Sequence, residues 1–135
     1  MTFKPRDRHK IVSRPNQFPC FTLFGHELQF VSEFRYLGHI ICNTLRDDND
    51  ILREIRNLYI RTNILIRRFN RCSVKVKLRL FRSYCICLYG AALWSRYTAG
   101  CLKKLKSCYH KCIKMFFGYS KFHSVTQILF LLGDS

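Results

Sequence analysis

The stretch Asp47-Asp48-Asn49-Asp50-Ile51-Leu52-Arg53-Glu54-Ile55-Arg56 marks the place where this chain changes its hydrophobic period. Before it, apolar side chains follow the two-residue alternation of strands, in short runs separated by prolines and glycines. From Asp47 onward, apolar side chains recur every three or four residues, as they do on one face of a helix. The sequence therefore predicts an α+β protein, in which a short N-terminal β-hairpin or sheet remnant precedes a bundle of three to four helices.

Residues 1–46 are predicted to be extended, with a proline-containing loop after the first few residues. Two short strands, at residues 21–24 and 27–30, are expected to form a hairpin joined at Gly25-His26.

A further strand is predicted at residues 34–41. Because side chains alternate along a strand, Phe34 and Tyr36 share one face and Arg35 lies on the other. Gly38 has no Cβ, so a ligand backbone would be able to approach it closely. The alternative for the two aromatic rings is that they pack in the core of a sheet face.

Four helices are predicted from their apolar stripes, at residues 50–70, 74–94, 101–117 and 124–132. The stripes of the first three consist of Ile51, Ile55, Leu58, Thr62, Leu65 and Phe69; of Val74, Leu78, Phe81, Cys85, Leu88 and Ala92; and of Leu102, Leu105, Tyr109, Cys112 and Phe116. Ser73 is the expected N-cap of the second helix, and Gly118 is expected to end the third. The second half of the second helix is apolar on nearly all sides, which predicts that it is the central buried element.

The first helix carries six arginines opposite its apolar stripe: Arg53, Arg56, Arg61, Arg67, Arg68 and Arg71. They form either a solvated face or a phosphate-binding face, and the near absence of paired glutamate favours phosphate. Ile60 and Ile64 lie one turn apart on the same side, as an exposed apolar pair. The second helix continues the basic surface with Lys75 and Arg79.

Charge is distributed very unevenly along the 135 residues. Residues 55–133 contain sixteen Lys or Arg and no Asp or Glu, and they carry essentially all of the formal net charge of +16. Cations without internal counter-ions repel one another unless an external polyanion neutralises them. RNA, DNA or an RNA–DNA hybrid is the expected partner, and an acidic protein or an unremarkable basic surface is the alternative.

Eight cysteines occur, but Met1-Thr2-Phe3-Lys4-Pro5 lacks the apolar segment of a secretion signal. Reduced thiols and an intracellular location, in the cytoplasm or the nucleus, are therefore expected. The longest apolar run, residues 86–94, is about half the length that a membrane span needs, so no membrane association is predicted.

A zinc site formed by Cys101, Cys108, Cys112 and His110 is rejected on helical geometry. Residues seven apart on a helix are separated by roughly 10 Å of rise, whereas zinc ligands lie about 2.3 Å from one ion. The cysteines are instead predicted to be free and to act as small apolar side chains.

The acids Asp47, Asp48 and Asp50 invite interpretation as a metal site, but they stand where a helix N-terminus favours negative charge. A capping role is predicted for them. No other pair of carboxylates is suitably placed, so the sequence predicts neither a catalytic residue nor a bound metal or cofactor.

The segment Phe34-Arg35-Tyr36-Leu37-Gly38-His39-Ile40-Ile41, after the hairpin Leu23-Phe24-Gly25-His26-Glu27-Leu28, resembles the primer grip of reverse transcriptases from non-LTR retrotransposons of the jockey or RTE type. The likeness extends through the first helix and through Leu88-Tyr89-Gly90-Ala91-Ala92-Leu93-Trp94 to Phe116-Phe117-Gly118-Tyr119, and so covers nearly the whole chain.

This resemblance implies three parts: the end of the palm with the primer grip at residues 1–46, thumb-like helices at 47–95, and a connection after the thumb at 96–135. In the family, an aromatic-x-Asp-Asp turn precedes the primer grip, whereas Asp47-Asp48 follows it. The chain is therefore expected to be a truncated piece that cannot polymerise alone, because the palm that binds Mg²⁺ in the parent enzyme is missing.

Two classes of function follow from the resemblance. The first is a non-catalytic fragment that grips template-primer duplex, with phosphate contacts from the basic helices and primer contacts from Tyr36-Leu37-Gly38 and its neighbours. The second is a transposon remnant without a role, or a protein-interaction module whose bare apolar surface associates with palm or fingers segments.

Overall fold

The computed structural model describes residues 21–133 except 87 and 89; the extended segment predicted for residues 1–20 lies outside the described residues. The chain forms two short strand pairs followed by helices, as the α+β prediction requires. The elements are β1 (Thr22–Leu23), β2 (His26–Glu27), β3 (Glu33–Tyr36), β4 (His39–Cys42), α1 (Asp48–Phe69), α2 (Val74–Cys85), a 3₁₀ turn (Ala91–Leu93), α3 (Ala99–Phe117) and α4 (Val125–Gly133).

The strand predicted at residues 34–41 is in fact a second hairpin, so that prediction is wrong. Strands β3 and β4 pair antiparallel, with Tyr36 opposite His39. The chain reverses at Leu37 and Gly38, whose φ angles are +47° and +83°. Two consecutive left-handed residues are typical of the tight turn that joins paired strands, and they explain the glycine without a ligand. The turn was missed because leucine is not a usual turn residue.

The first hairpin has the same construction, one residue earlier than predicted. Strands β1 and β2 are two residues each, and their turn is Phe24-Gly25 instead of Gly25-His26. Phe24 and Gly25 both have positive φ angles, +49° and +79°. In both hairpins, therefore, a bulky apolar residue takes a left-handed position before the glycine.

Helix α1 confirms the predicted stripe. Ile51, Leu58, Thr62 and Leu65 are buried, and Ile55 and Phe69 pack at the edge of the core. The sequence did not predict that Asp50 and Glu54 would be buried on the same helix.

Helix α2 ends nine residues before the predicted boundary at residue 94. Of its predicted stripe, Phe81 and Cys85 are buried, whereas Val74 is exposed, and the apolar segment after Cys85 does not continue the helix. Gly90 adopts a left-handed conformation with φ +79°, and a 3₁₀ turn follows it. The segment after α2 lies beside β4 and the start of α1, and Leu93 is 72% exposed. The prediction that this segment forms a buried central helix is therefore wrong.

Helix α3 packs along α1 and closes the core. Thr98 caps its first turn by accepting a hydrogen bond from the Cys101 N–H (3.2 Å), and Gly118 ends it in the left-handed conformation, as predicted. Leu102 is exposed, contrary to prediction. The shared core is formed by α1, α2, α3 and α4, with these residues buried: Leu58, Leu65, Phe81, Cys85, Cys108, Cys112, Ile113, Phe116 and Ile128.

Candidate nucleic-acid interface

The six arginines of α1 divide into two groups. Arg53 donates from Nε to Asp50 Oδ1 (2.6 Å) and from Nη1 to Glu54 Oε2 (3.2 Å), and Arg61 pairs with Glu54 Oε1. The side chains of Arg53 and Arg61 are only 17% and 28% exposed. Both guanidinium groups thus neutralise buried carboxylates inside the protein, and they are poorly placed to contact phosphate.

The second group of arginines lies on the surface. Arg56, Arg67, Arg68 and Arg71 are exposed, and none of them forms an ion pair within the described part of the chain.

The turn between α1 and α2 concentrates these charges in one place. Arg67 and Arg68 lie in the last turn of α1, Arg71 lies in the connection, and Lys75 and Arg79 are exposed one helical turn apart at the start of α2. We call these five residues the cationic corner. The corner has no internal counter-ion among residues 21–133 as described, so an external anion would lower its self-repulsion.

Ile60 and Ile64 are exposed on α1, as predicted, within the same sector as the free arginines. An apolar pair flanked by guanidinium groups is able to pack against sugar rings while the arginines reach phosphates.

The second hairpin presents its side chains to solvent. Phe34 and Tyr36 are about half exposed, at 50% and 57%, so neither ring is a core residue of a sheet face. Arg35 is exposed, Leu37 at the tip is 75% exposed, and the space beside Gly38 is open. All five predicted hairpin residues are thus accessible to a partner.

The three acids at the start of α1 are not simple helix caps, which corrects the sequence-based prediction. Asp47 occupies the N-cap position, but its carboxylate makes no capping hydrogen bond. Its Oδ2 accepts from the backbone N–H groups of Ser95 (2.8 Å) and Arg96 (2.7 Å). Oδ1 of Asp48 accepts from both the N–H and the hydroxyl of Thr98, each at 2.8 Å. Both carboxylates therefore hold the segment that enters α3.

Asp50 is the buried centre of this arrangement. Its Oδ1 accepts from the Ile40 N–H (2.9 Å) and from Arg53, while its Oδ2 accepts from Trp94 Nε1 (2.8 Å) and lies 2.9 Å from His39 Nδ1. Burial alone would raise the pKa of this carboxyl, but the hydrogen bonds, led by that of Arg53, outweigh burial and hold the pKa below its usual value. Asp50 therefore joins β4, α1 and the segment before α3 as an ionised group.

One feature of the sequence indicates that Trp94 has a hydrogen-bond partner such as Asp50. Trp94 is the single tryptophan, and the N–H of a tryptophan that is partly buried usually finds an acceptor. The acceptor, Asp50, lies 44 residues earlier in the chain. No local pattern identifies such a pair.

Gly90 packs closely against His39 of the second hairpin, next to Asp50. A Cβ atom at Gly90 would lie 2.1 Å from Cε1 of His39, so only glycine leaves room for the imidazole. Hairpin and segment are thus in direct contact beside Asp50.

The described cysteines are free thiols, and most of them are buried. Cys85 and Cys112 belong to the core beside Thr62, whose hydroxyl lies 3.7 Å from Cys85 Sγ. Burial raises the pKa of the Cys112 thiol to about 12, so this thiol stays protonated at neutral pH. Within residues 21–133 as described, no group of three or more His, Cys, Asp or Glu side chains is arranged to hold a metal ion.

None of the helices in the described ranges combines the length and the apolar character that crossing a membrane would require. Comparison of the chain with protein-family models, with curated proteins and with solved structures found no significant match.

Proposed function

We propose that this chain is the primer-grip and thumb portion of a non-LTR retrotransposon reverse transcriptase, and that it binds the template-primer duplex of RNA, DNA or a hybrid through phosphate contacts. The proposal rests on the resemblance of the sequence and on the free cations of α1 and α2. An intracellular location, where thiols stay reduced, belongs to the same proposal.

The observation that carries the proposal is the exposed cationic corner. Its arginines and lysine have no internal acid to pair with in the described residues, unlike Arg53 and Arg61 on the same face. Guanidinium groups donate two parallel hydrogen bonds to phosphate, and each neutralised phosphate releases condensed counter-ions. Such binding depends strongly on salt and weakly on sequence.

The second hairpin supplies a different kind of contact. Phe34 and Tyr36 offer exposed rings for stacking or for packing on sugars, and Arg35 offers a further charge. Arg53 and Arg61 support this surface indirectly, by neutralising Asp50 and Glu54.

The experiment is a salt titration of binding to a primed duplex, with Arg67, Arg68 and Arg71 all replaced by glutamine. About six phosphate contacts predict a slope of log affinity against log salt near −5, and removing three of them is expected to reduce the slope by about two to three units. Glutamine preserves helix propensity, so circular dichroism is expected to stay unchanged.

The matched control replaces Lys103, Lys104 and Lys106, three exposed lysines of α3, by glutamine. This triple variant loses the same charge but leaves the cationic corner intact. A smaller change of slope supports the corner as the binding surface. Equal changes of slope in the two variants would show that only net charge matters, and an unchanged slope in both would refute phosphate binding by these residues.

We also propose that the chain does not polymerise by itself, since its grouped carboxylates are already bonded within the fold. Asp47 and Asp48 accept from backbone amides, and Asp50 is buried among four donors. Primer extension on a primed RNA template with Mg²⁺ or Mn²⁺ is expected to stay at background. Incorporation that the double variant Asp47→Ala, Asp48→Ala abolishes would contradict this expectation.

A second candidate function is protein interaction, or no selected role at all. The first hairpin favours it, because its exposed apolar side chains include Phe21, Leu23, Phe24 and Leu28 without a lysine or arginine among them. Light scattering after size exclusion discriminates the two candidates: a monomer that binds duplex supports the first, and salt-independent self-association without duplex binding supports the second.

A further inference from the structure

A cavity of about 540 Å³ lies between the second hairpin, the start of α1 and the segment before α3. This volume falls within the range of about 300–1,000 Å³ that small-molecule sites occupy. The side chains that matter for its chemistry are Tyr36, Leu37, Leu45, Leu93, Trp94 and Arg96. The cavity is thus mainly apolar and aromatic, with two arginines in its wall: Arg46, which pairs with Asp48, and Arg96.

The walls are held in place by the carboxylates already described. Trp94 is fixed by its hydrogen bond to Asp50 (2.8 Å), and the backbone at Arg96 is fixed by Asp47 (2.7 Å). Asp50 is paired with Arg53, and Asp47 accepts two backbone amides. Asp50 is thus paired with a cation and Asp47 is bound by backbone amides, whereas the Arg96 guanidinium has no ion-pair partner among the described residues.

Two exposed leucines, Leu37 and Leu93, line the opening of the cavity. Leu37 and Leu93 are 75% and 72% exposed, so the rim is apolar and open to solvent. Leu37 also has a φ angle of +47°, in a two-residue turn where asparagine would be favoured. A leucine there weakens the turn and gains no burial within the chain. Phe24 has the same conflict in the first hairpin, so what distinguishes Leu37 is its position in the lining of the cavity.

We propose that this cavity takes one unpaired nucleobase, with the attached phosphate on Arg96. A neutral flat ring suits walls made of Trp94, Tyr36 and leucines, since every base has a π-face for stacking. The base comes either from the end of a bound duplex, which rests on the proposed function, or from a free nucleoside monophosphate, which does not. Both sources share the ring and the phosphate.

The test uses Trp94 fluorescence, because this residue is the only tryptophan and lines the cavity. The probes are a blunt duplex, the same duplex with one unpaired adenosine nucleotide at either end, and adenosine monophosphate. Stacking of a base on an aromatic side chain strengthens binding, so the overhang duplex is expected to bind about tenfold more tightly than the blunt one and to quench Trp94.

Leu37→Asn is the decisive variant. It favours the turn, so the melting temperature is expected to rise by about 2–5 °C, while the preference for the overhang falls at least several-fold. Phe24→Asn is the matched control, because Phe24 has the equivalent turn position in the first hairpin, is 94% exposed and lies outside the cavity. It is expected to raise the melting temperature similarly and to leave the overhang preference unchanged. Arg96→Gln is expected to weaken quenching by adenosine monophosphate.

The outcomes separate this inference from the proposed function. One outcome is tight binding of the blunt duplex, with no gain from an overhang and no quenching by adenosine monophosphate. That outcome refutes nucleobase binding in the cavity and still supports duplex binding. Quenching by adenosine monophosphate that depends on Leu37 and Arg96, in a protein that does not bind duplex, supports the cavity and refutes the proposed function. If Leu37→Asn keeps the preference for the overhang, the proposal that Leu37 contacts the unpaired base is refuted.

Discussion

Replacing Asp50 by asparagine is expected to lower the free energy of unfolding by about 3–5 kcal/mol, because Arg53 and Arg61, both largely buried, would then share a single carboxylate, Glu54. The amide cannot accept at both ends, so one of the groups on Oδ1 or Oδ2 also loses its acceptor. Urea unfolding followed by circular dichroism measures the effect. Asp48→Asn is the control, since its ion pair with Arg46 lies on the surface and such pairs contribute about 1 kcal/mol or less.

The pH dependence of the same variant gives an independent check. The pKa of Asp50 is lowered in the folded protein, so its stabilising contribution is fully present above the unfolded pKa of about 3.9 and is lost as the pH falls through the folded value. The stability difference between wild type and Asp50→Asn is therefore expected to be constant from about pH 7 to pH 5 and to shrink below about pH 4. A difference below 1 kcal/mol at neutral pH, or one that grows on acidification, would contradict the role of Asp50 as an ionised junction.

Replacing Gly90 by alanine is expected to have the second large effect on stability. The new Cβ would lie 2.1 Å from the His39 ring, whose Nδ1 lies 2.9 Å from Asp50 Oδ2. Either the ring gives up that contact or the segment before α3 moves away from the hairpin, and overpacking of this kind costs about 1–3 kcal/mol.

Gly118→Ala is the matched control for this prediction. Gly118 and Gly90 have nearly the same φ angle, +77° and +79°, so both variants incur the left-handed penalty of about 1–2 kcal/mol. A Cβ at Gly118 meets nothing within 4 Å, however. Thermal unfolding is expected to show that Gly90→Ala is the less stable variant by the overpacking cost alone; equal losses would mean that the hairpin contact does not matter.

Features that depend on local periodicity could be predicted from the sequence. The apolar stripe of α1, the glycine end of α3 and the exposure of Ile60 and Ile64 follow from spacings of three and four residues and from one left-handed glycine. The same holds for the α+β order, because the period changes at Asp47. Each of these features is specified by residues that lie close together in the sequence.

The turn at Leu37-Gly38 and the end of α2 at Cys85 could not be predicted in this way. Leucine carries no turn signal, and an apolar run does not distinguish a buried helix from an irregular segment that packs against a hairpin. The lack of room for a side chain at Gly90 is due to the ring of His39, which lies far away in sequence.

For the candidate interface, the sequence alone determined which residues are basic and that residues 55–133 contain no acid. The tertiary structure decided which of these cations are free: Arg53 and Arg61 turn to the buried Asp50 and Glu54, while the cationic corner stays in solvent. It also showed that Asp47, Asp48 and Asp50, which were expected to cap α1, bind the segment before α3. Part of that segment lines the cavity. The physical reason is that a charge is specified by residue type, whereas its partner is specified by burial and by contacts between elements distant in sequence, such as Asp50 with Trp94.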